Sequence, residues 1–594
     1  MGERGAAVVP KGAVVGVFSG YPDEPWYRTL HQLPPQEVYE FRFGDRASGN
    51  MGTMGEAAST HEHYHYDYPF ITAEMGGGIQ DTYHRRPVIE PDDVAAIMPV
   101  MLGSGVNLYG TYMFQGGINP KGKLTTLQES QLTGYPNSLP IKDYDFQAPL
   151  SAFGQERESF RKLKVFNYFL NEFGGLLAPM PAFAPLRVPQ SPQDFSMARV
   201  AVRTNGKSGF IFFNNYVRYY AMPDRPHFQV KIELPEHTVT IPERAVNLPS
   251  GDYGIWPFGL TLGNLSLRYA TAELFYKIKN GSDETYYFVA TKGVPAQFVF
   301  EHQKGIWIET CGTKMQHDDA TTVTGLRPSL LPAITVKSAN GKITHIVLLS
   351  EQQAEDAWKF YSGSWHMLFT KAQFFSNGNR VTLQQDNRPD FQFTVIPRLS
   401  IIPTANVPLR ETRPDSGVGS FRAALPIVRP ELTLKQVRNA ETVPPVRIGL
   451  HGHGVAMAPS KEEFALAAEW KLNIPQSDWK GVDNLFLISR YDADVAHLVS
   501  GGQLLDDNFY NGRPWTVGLD RFRQQIARHG LQLEILPRRA DAPIFIEKRY
   551  RDSQKTGQIE QLKSVQLIPQ YQLQIHFASQ MRGYSAGAIM RQSE

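Results

Sequence analysis

The sequence predicts a multi-domain protein with an α/β region at its N-terminal end and all-β domains after it. Three observations lead to this prediction. The chain has 594 residues, which is too long for a single hydrophobic core. Strand and helix patterns alternate over about the first 185 residues, and short strands separated by turn residues follow. Charged residues make up 20% and aromatic residues 12%, with 50 glycines and 42 prolines, which is typical of a turn-rich, strand-rich globular protein.

Five segments predict the strands and helices of the first region. Apolar, β-prone runs predict strands at residues 14–18, 68–74 and 106–114. Residues 91–98 predict a helix, because a proline lies in the first turn and two aspartates lie at the positive end. Residues 155–173 predict another helix, because charged and apolar residues alternate at helical spacing. This order of strand, loop and helix is typical of successive βα units.

After a proline-rich linker at residues 178–189, the pattern changes to strands separated by turns. Clear strands lie at residues 209–215, 228–234, 284–290 and 343–349 and, after irregular breaks at 402–408 and 413–420, at 484–488 and 505–512. Short strands at this spacing favour β-sandwiches. We therefore divide the chain into an α/β region at 1–186, a β-sandwich region of one or two domains at 187–410, and a final β domain at 411–594.

The charge and the composition limit the classes of binding partner that we expect. Lys plus Arg is 60 and Asp plus Glu is 58, so the formal net charge is +2. Without a basic stripe we expect no nucleic-acid partner, and without a run of 18 apolar residues we expect no membrane span. The first residues lack the apolar segment of a signal peptide, and the place of action stays open, as does the oligomeric state. Cys311 lies next to an alternating strand pattern, which favours a buried structural thiol.

The most informative motif is Tyr68-Pro-Phe-Ile-Thr-Ala-Glu-Met-Gly-Gly-Gly78. Its strand pattern delivers one carboxylate, Glu74, to the carboxyl end of a strand. Three glycines follow, and we expect them to leave room for a ligand near the backbone. A solvated glutamate before a glycine turn explains the local pattern about equally well.

Four motifs together resemble the bacterial β-galactosidases of glycoside hydrolase family 35. They are Gly20-Tyr-Pro-Asp-Glu-Pro-Trp26, Thr72-Ala-Glu-Met-Gly-Gly-Gly78, Asn107-Leu-Tyr-Gly-Thr-Tyr-Met-Phe-Gln-Gly-Gly-Ile-Asn119 and Asp143-Tyr-Asp-Phe-Gln-Ala-Pro-Leu150. The resemblance covers residues 14–185 well. Beyond that, residues 210–218 and 255–258 look like the β domain that follows the barrel in bacterial members. Residues 505–519 are similar to accompanying jelly-roll modules.

The resemblance implies a fold, a reaction and a set of site residues. The fold would be a partial (β/α)8 TIM barrel followed by β-sandwich and jelly-roll-like domains. The reaction would be retaining hydrolysis of terminal β-linked galactose in oligo- or polysaccharides, which uses two carboxyl groups and no cofactor or metal. Glu74 matches the nucleophile. Asn107, Tyr112, Tyr144 and Asp145 fall where the family lines the sugar pocket.

The acid/base carboxyl group of such an enzyme has no match in the sequence. In the family it follows an asparagine on an earlier barrel strand, further upstream than the 73 residues that precede Glu74. Glu172 lies in a similar Asn-Glu-Phe-Gly string, but it follows the nucleophile within a predicted helix, and we interpret it as a chance match. We expect the first half of the barrel, with the acid/base, to be absent from this chain. The alternative is a non-catalytic carbohydrate-binding β protein with a degenerate barrel remnant.

Other constellations favour no further chemistry. His61, His63 and His65 alternate with a spacing that zinc could use, but a polar wall or loop is the better interpretation, because no fourth ligand is evident. Residues 117–123 approach a phosphate-binding loop, but Leu124 stands where serine or threonine is required. The string at residues 451–454 is more typical of a turn than of a site.

Overall fold

A computed structural model describes residues 2–3, 16–43, 69–123, 127–412, 418–449, 454–551 and 556–577. Over these residues the fold consists mostly of β-strands arranged in several sheets, with few helices. The helices are α1 (Pro91–Ala95), α2 (Ile97–Gly103), α3 (Glu158–Leu177), α4 (Glu351–Glu355) and α5 (Arg523–His529). In the described part of the chain, none of the helices combines the length and the apolar character that a bilayer crossing requires.

The α/β region contains one small parallel sheet. Its strands, in spatial order, are Gly2–Glu3, Gly16–Gly20, Phe70–Gly76 and Val106–Leu108, and Thr111–Tyr112 also pairs with Phe70–Gly76. All of these pairings are parallel. The strands predicted near residues 14–18 and 68–74 are confirmed. The one predicted at 106–114 is divided at Gly110, where a Cβ atom would lie 2.6 Å from the Thr72 carbonyl oxygen.

The predicted helices are confirmed, and they join the sheet to the sandwich that follows. Residues 91–98 lie in α1 and α2, which begin with Pro91, as expected at a helix start. α3 buries Leu163, Phe166 and Phe169 on one face. These side chains share a core with strands of the next domain, so the α/β region and the sandwich pack as one body around that core.

The first sandwich is formed by an eight-stranded and a five-stranded sheet. The eight-stranded sheet contains, in spatial order, Thr313–Gln316, Ala320–Thr324, Phe298–Glu301, Leu265–Ala270, Tyr253–Leu262, Gly209–Asn214, Arg199–Thr204 and Ala182–Phe183. The five-stranded sheet contains Ala272–Asn280, Asp283–Ala290, Ile343–Leu349, Ile334–Ser338 and Ile306–Thr310. A hairpin, Arg225–Glu233 with Thr238–Leu248, covers the outer face of the larger sheet. Cys311, which the sequence predicts to be buried, is exposed, because it lies beyond the end of an edge strand.

Two further sheets pack on a shared central sheet. The central sheet contains Gln373–Asn377, Arg380–Asp386, Gln561–His576, Asn484–Asp492 and Trp515–Gly518, with Thr404–Ala405 also paired to Gln561–His576. On one half packs the sheet Ala357–Tyr361, Trp365–Phe369, Asp390–Ile396, Gly419–Ala424 and Arg410–Glu411. On the other half packs the sheet Thr433–Arg438, Ala468–Asn473, Leu531–Leu536, Val495–Ser500 and Gln503–Phe509. The central sheet thus contains strands from both sides of residue 410.

Three two-residue strand pairs complete the fold. They are Arg85–Arg86 with Phe545–Ile546, Gly117–Ile118 with Asp143–Tyr144, and Arg538–Arg539 with Gln558–Ile559. The first of them joins the α/β region directly to the C-terminal part of the chain. We call the second pair the Tyr144 hairpin.

Candidate active site

Glu74 lies at the carboxyl end of the central strand of the parallel sheet. In the register of this sheet Ser19 is opposite Glu74, and Met75 pairs with Thr111 on the other side. The Glu74 side chain is half-buried, whereas the adjoining Met75 is fully buried. The predicted placement of this carboxylate near the carboxyl end of a strand is therefore confirmed.

Tyr21 holds the Glu74 carboxylate. Its hydroxyl group donates a hydrogen bond of 2.7 Å to Glu74 Oε2. Burial, followed by the negative charge of Glu74, raises the pKa of Tyr21, so the phenol keeps its proton and remains a donor. No local pattern in the sequence indicates this contact, because the two residues are 53 positions apart.

Aromatic side chains surround this pair. The Tyr112 and Tyr144 hydroxyl groups lie 3.0 Å apart. The Phe146 ring lies 5.3 Å from the Tyr112 ring, 5.8 Å from the Tyr144 ring and 6.0 Å from the Tyr21 ring. Trp26 packs edge-on against Tyr21 at 5.5 Å. Three phenols thus pack around the buried Phe146 ring, and one of them binds Glu74. Phenols and a carboxylate together are suited to a ligand with hydroxyl groups and apolar faces.

Burial raises the pKa of Tyr144, and its hydrogen bond with Tyr112 and the charge of Glu74 contribute to the same effect. Tyr144 therefore stays protonated and can donate as well as accept hydrogen bonds. The Glu74 charge contributes to the raised pKa of both Tyr21 and Tyr144, although its effect on Tyr144 is smaller than those of Tyr112 and Glu129.

The glycines after Glu74 are required by contacts within the chain itself. A Cβ atom on Gly77 would lie 2.3 Å from the Met113 carbonyl oxygen, and one on Gly78 would lie 2.2 Å from the Phe146 carbonyl oxygen. Our expectation that the glycines leave room for a ligand is therefore wrong, because neighbouring backbone fills that space. Phe146 has φ 61°, a left-handed conformation that is uncommon for a bulky residue, and the close packing against Gly78 holds it there.

Asp145 is occupied by structural contacts. Its Oδ1 accepts a hydrogen bond of 2.7 Å from the Ala152 backbone, and its Oδ2 pairs with Arg157 Nη2 at 2.5 Å. Both carboxylate oxygens are therefore engaged in fixing the turn that follows Tyr144. The structure brings Tyr112 and Tyr144 to Glu74, and it places Asp145 in the support of that group.

Asn107 lies at the other end of the parallel sheet. Its Oδ1 accepts from the Phe70 backbone at 3.0 Å, and its Nδ2 donates to the Ala178 carbonyl at 3.1 Å. Phe70 is four residues before Glu74, which corresponds to about 13 Å along a strand. The structure therefore does not bring Asn107 together with the other predicted site residues.

The loop that carries Tyr21 is anchored by buried charges. Asp23 accepts from Arg85 Nε at 3.0 Å, and its other oxygen lies 3.5 Å from Arg218 Nε. Arg218 also pairs with Asp93 of α1 and, at 3.2 Å, with Glu547. The side chains of all five residues are at least nine-tenths buried. One arginine thus joins the site loop, α1 and the C-terminal part of the chain.

Glu24 adjoins this network and is 1% exposed. Its Oε2 has no hydrogen-bond partner among the residues that the structure describes. Burial raises the pKa of Glu24 to about 8, and a hydrogen bond with Tyr27 offsets part of this effect. Glu24 and Arg218 lie in segments that resemble the family, but the sequence did not predict that their charges are buried, because burial of a charged side chain depends on partners far along the chain.

The remaining sequence predictions lie elsewhere. Glu172 is on α3 and pairs with Lys277 of the first sandwich at 3.5 Å. Gly117 and Ile118 belong to the Tyr144 hairpin. His61, His63, His65 and the string at 451–453 lie outside the described residues. Within the described ranges, no three His, Cys, Asp or Glu side chains are grouped so that they could hold a metal ion.

Comparisons with known proteins add little. No protein-family model and no curated protein matches this chain. Among solved structures, it is similar in part to a glycoside hydrolase family 31 α-xylosidase from Xanthomonas citri, with a TM-score of 0.10 and 10% sequence identity. The match covers 66% of this chain and 37% of the xylosidase, so the chain spans well under half the length of that protein. A TM-score this low carries no argument, and function has to be inferred from the geometry of the site.

Proposed function

We propose that this chain carries the nucleophile side of the active site of a retaining glycoside hydrolase that removes terminal β-linked galactose from oligo- or polysaccharides. The observation that carries the proposal is the half-buried Glu74 carboxylate at the end of a parallel strand, hydrogen-bonded by Tyr21 at 2.7 Å and surrounded by phenols. The strand direction and the position of Glu74 fit part of a (β/α)8 barrel, in which reacting groups lie at the carboxyl ends of strands. The choice of galactose rests on the resemblance of the four motifs.

In this proposal Glu74 attacks the anomeric carbon of the bound sugar. One Glu74 oxygen forms a bond to C1 while the bond from C1 to the leaving oxygen breaks, and the leaving oxygen takes the electron pair and a proton from the acid/base. Water, deprotonated by the same acid/base, then cleaves the glycosyl ester and restores Glu74. The hydrogen bond from Tyr21 fixes which Glu74 oxygen is free, because Oε2 is already engaged.

The aromatic cluster supplies the sugar contacts. The hydroxyl groups of Tyr112 and Tyr144 can exchange hydrogen bonds with sugar hydroxyl groups, and the partly exposed rings of these two tyrosines offer an aromatic surface that the buried Phe146 ring supports. A pyranose ring has both polar edges and apolar faces, so it matches this mixture.

The acid/base belongs outside the described residues in this proposal. A retaining enzyme needs two carboxyl groups about 5–5.5 Å apart, and Glu74 supplies one of them. In this proposal the other carboxyl group is supplied by polypeptide that the structure does not describe.

A substrate that needs no general acid tests the nucleophile alone. The dinitrophenyl glycoside of 2-deoxy-2-fluoro-β-galactose has a leaving group that departs as a stable anion, and its fluorine slows hydrolysis of the glycosyl ester. We expect the intact mass of the protein to increase by one fluorogalactosyl group, and peptide mapping to locate that group on Glu74. The Glu74→Gln variant should not be labelled.

Glu172→Gln is the matched control, since Glu172 lies in a similar local sequence but on α3, paired with Lys277. The Glu172→Gln variant should be labelled like the unmodified chain. The gluco-configured reagent should label neither the unmodified chain nor this variant. Binding of galactosides without any labelling would contradict the proposal and support the alternative, a carbohydrate-binding β protein. That alternative draws on the same aromatic cluster and requires no second carboxyl group.

A further inference from the structure

Asp507, in the C-terminal part of the chain, binds the backbone of the Tyr144 hairpin. Its Oδ2 accepts a hydrogen bond of 2.6 Å from the Ile141 backbone, and its Oδ1 accepts from Lys142 at 2.7 Å and Asp143 at 3.1 Å. Asp507 is 1% exposed and lies on the strand Gln503–Phe509, opposite His497. Three consecutive N–H groups therefore end on one buried carboxylate some 365 positions away in the sequence.

The three N–H groups immediately precede Tyr144. Asp143 and Tyr144 pair with Ile118 and Gly117 in a strand pair only two residues long, which by itself is too short to be stable. A carboxylate that accepts several backbone N–H groups forms strong, charge-assisted hydrogen bonds. Asp507 thus anchors the backbone of this short strand pair, and Tyr144 is the next residue after the anchored segment.

We propose that Asp507 is a positioning residue for the sugar pocket, which fixes the Tyr144 hydroxyl group beside Tyr112 and Glu74. This inference rests on the proposed function, since it gives the C-terminal β domain a role in the active site. Asp507 itself does not contact the sugar in this scheme. It acts through the backbone of residues 141–143 on Tyr144.

Melting temperature alone does not test this role. Asp507→Asn loses part of the backbone anchor, but it also removes the negative charge that, after burial, contributes most to raising the pKa of the adjacent Asp506. Loss of the anchor lowers the stability of the folded state, whereas loss of the repulsion between the two carboxylates raises it. The role therefore has to be tested with measurements on the hairpin and on the pocket.

The first experiment is hydrogen–deuterium exchange of the full chain, read on peptides that cover residues 139–146. In Asp507→Asn we expect exchange of this segment to accelerate on the order of tenfold, as expected when about 1–2 kcal/mol of hydrogen bonding is lost. Unchanged exchange there would overturn the anchoring role, whether or not the protein is an enzyme.

The second experiment uses the fluorogalactoside reagent and separates its binding constant from its rate of bond formation. We expect Asp507→Asn to weaken reagent binding on the order of tenfold while the limiting labelling rate changes by less than about threefold. Tyr144→Phe should have a similar effect. The double variant should be no worse than either single variant, because both remove the same contact.

Asp494→Asn is the matched control. Asp494 is also buried in the C-terminal part of the chain and also binds the α/β region, through Tyr83 at 2.6 Å and Arg86 at 2.7 Å. Among the described residues its side chain makes no hydrogen bond or ion pair with the Tyr144 hairpin. It should lower stability and leave reagent binding unchanged.

The outcomes are distinguishable. Equal weakening of reagent binding by Asp494→Asn and Asp507→Asn, or additive effects of Asp507→Asn and Tyr144→Phe, would overturn the positioning role, since either indicates general loosening. If the unmodified chain is not labelled at all, the proposed function fails and the pocket role fails with it. The exchange experiment then still reports whether Asp507 anchors the hairpin.

Discussion

Replacing Arg218 with methionine should destabilise the protein severely. Methionine keeps most of the volume and removes the charge. Three carboxylates lose their shared cation: Asp23, Asp93 and Glu547, whose side chains are 0%, 2% and 7% exposed. Asp23 keeps Arg85 and Glu547 keeps Arg549, but Asp93 has no other cation among the described residues. Breaking a buried ion pair from one side costs about 3–5 kcal/mol, because the remaining charge, here that of Asp93, stays buried without compensation.

The effect can be measured as a shift in the melting temperature. One kcal/mol shifts the melting temperature by about 2–4 °C for a domain of 150–250 residues, so we expect a decrease of roughly 6–20 °C in the first unfolding transition. Differential scanning calorimetry is the appropriate assay, since a chain with several cores need not unfold in one step. The difference in melting temperature from the unmodified protein should narrow at acidic pH, because burial already raises the pKa of Asp93, loss of Arg218 raises it further, and protonation neutralises this carboxyl group.

Arg268→Met is the matched control. Arg268 also pairs with three carboxylates, Glu243, Glu301 and Asp319, but these are 47%, 42% and 74% exposed. Exposed ion pairs contribute at most about 1 kcal/mol each, so this variant should lower the melting temperature much less than Arg218→Met does. Equal shifts for the two arginine variants would refute the reasoning, since burial would then not decide the cost.

Three further results are expected. Glu24 has an ordinary pKa of 4.5 and a folded-state pKa of about 8, so the folded protein retains a proton between these values and loses stability as the pH rises from 4.5 to about 8. Glu24→Gln should remove this decrease in stability, which melting curves recorded across the same pH range would show. Tyr21→Phe removes a charge-assisted hydrogen bond worth about 1.5–3 kcal/mol, and labelling of Glu74 by the fluorogalactoside should slow by roughly 10- to 100-fold with the fold retained by circular dichroism. Gly78→Ala should lower the melting temperature by several degrees, because overpacking typically costs about 1–3 kcal/mol. Gly117→Ala should leave the melting temperature unchanged, because nothing lies within 4 Å of the new methyl group. Equal effects of the two substitutions would contradict the steric explanation.

The local elements could be predicted from the sequence because their signals are local. A proline at a helix start and apolar residues at helical spacing predicted α1, α2 and α3, and short apolar, aromatic runs bounded by turn residues predicted strands such as Gly209–Asn214. The position of Glu74 at the end of a strand followed from the same reasoning. In each case the deciding interactions lie within a few residues of one another.

What could not be predicted depends on contacts distant in sequence. Tyr21 was part of a recognised motif, but nothing near it indicates a bond to Glu74, and nothing near Asp507 indicates residues 141–143. The glycines after Glu74 illustrate the same limit. Their need for space was evident from composition, but whether a ligand or the chain's own backbone fills that space depends on the tertiary fold.

The strand Gln561–His576 imposes an order on biosynthesis. It pairs with Arg380–Asp386 on one side and with Asn484–Asp492 on the other, and it contributes Tyr571 and Leu573 to the core of the earlier sandwich. A ribosome adds about 5–20 residues per second, so the earlier strand waits on the order of 10–40 s for its neighbour to be synthesised. During that interval its edge and apolar face are open to other chains. A ribosome-bound chain halted before residue 561 should therefore bind chaperones. Synthesis of the strand Gln561–His576 should end that binding.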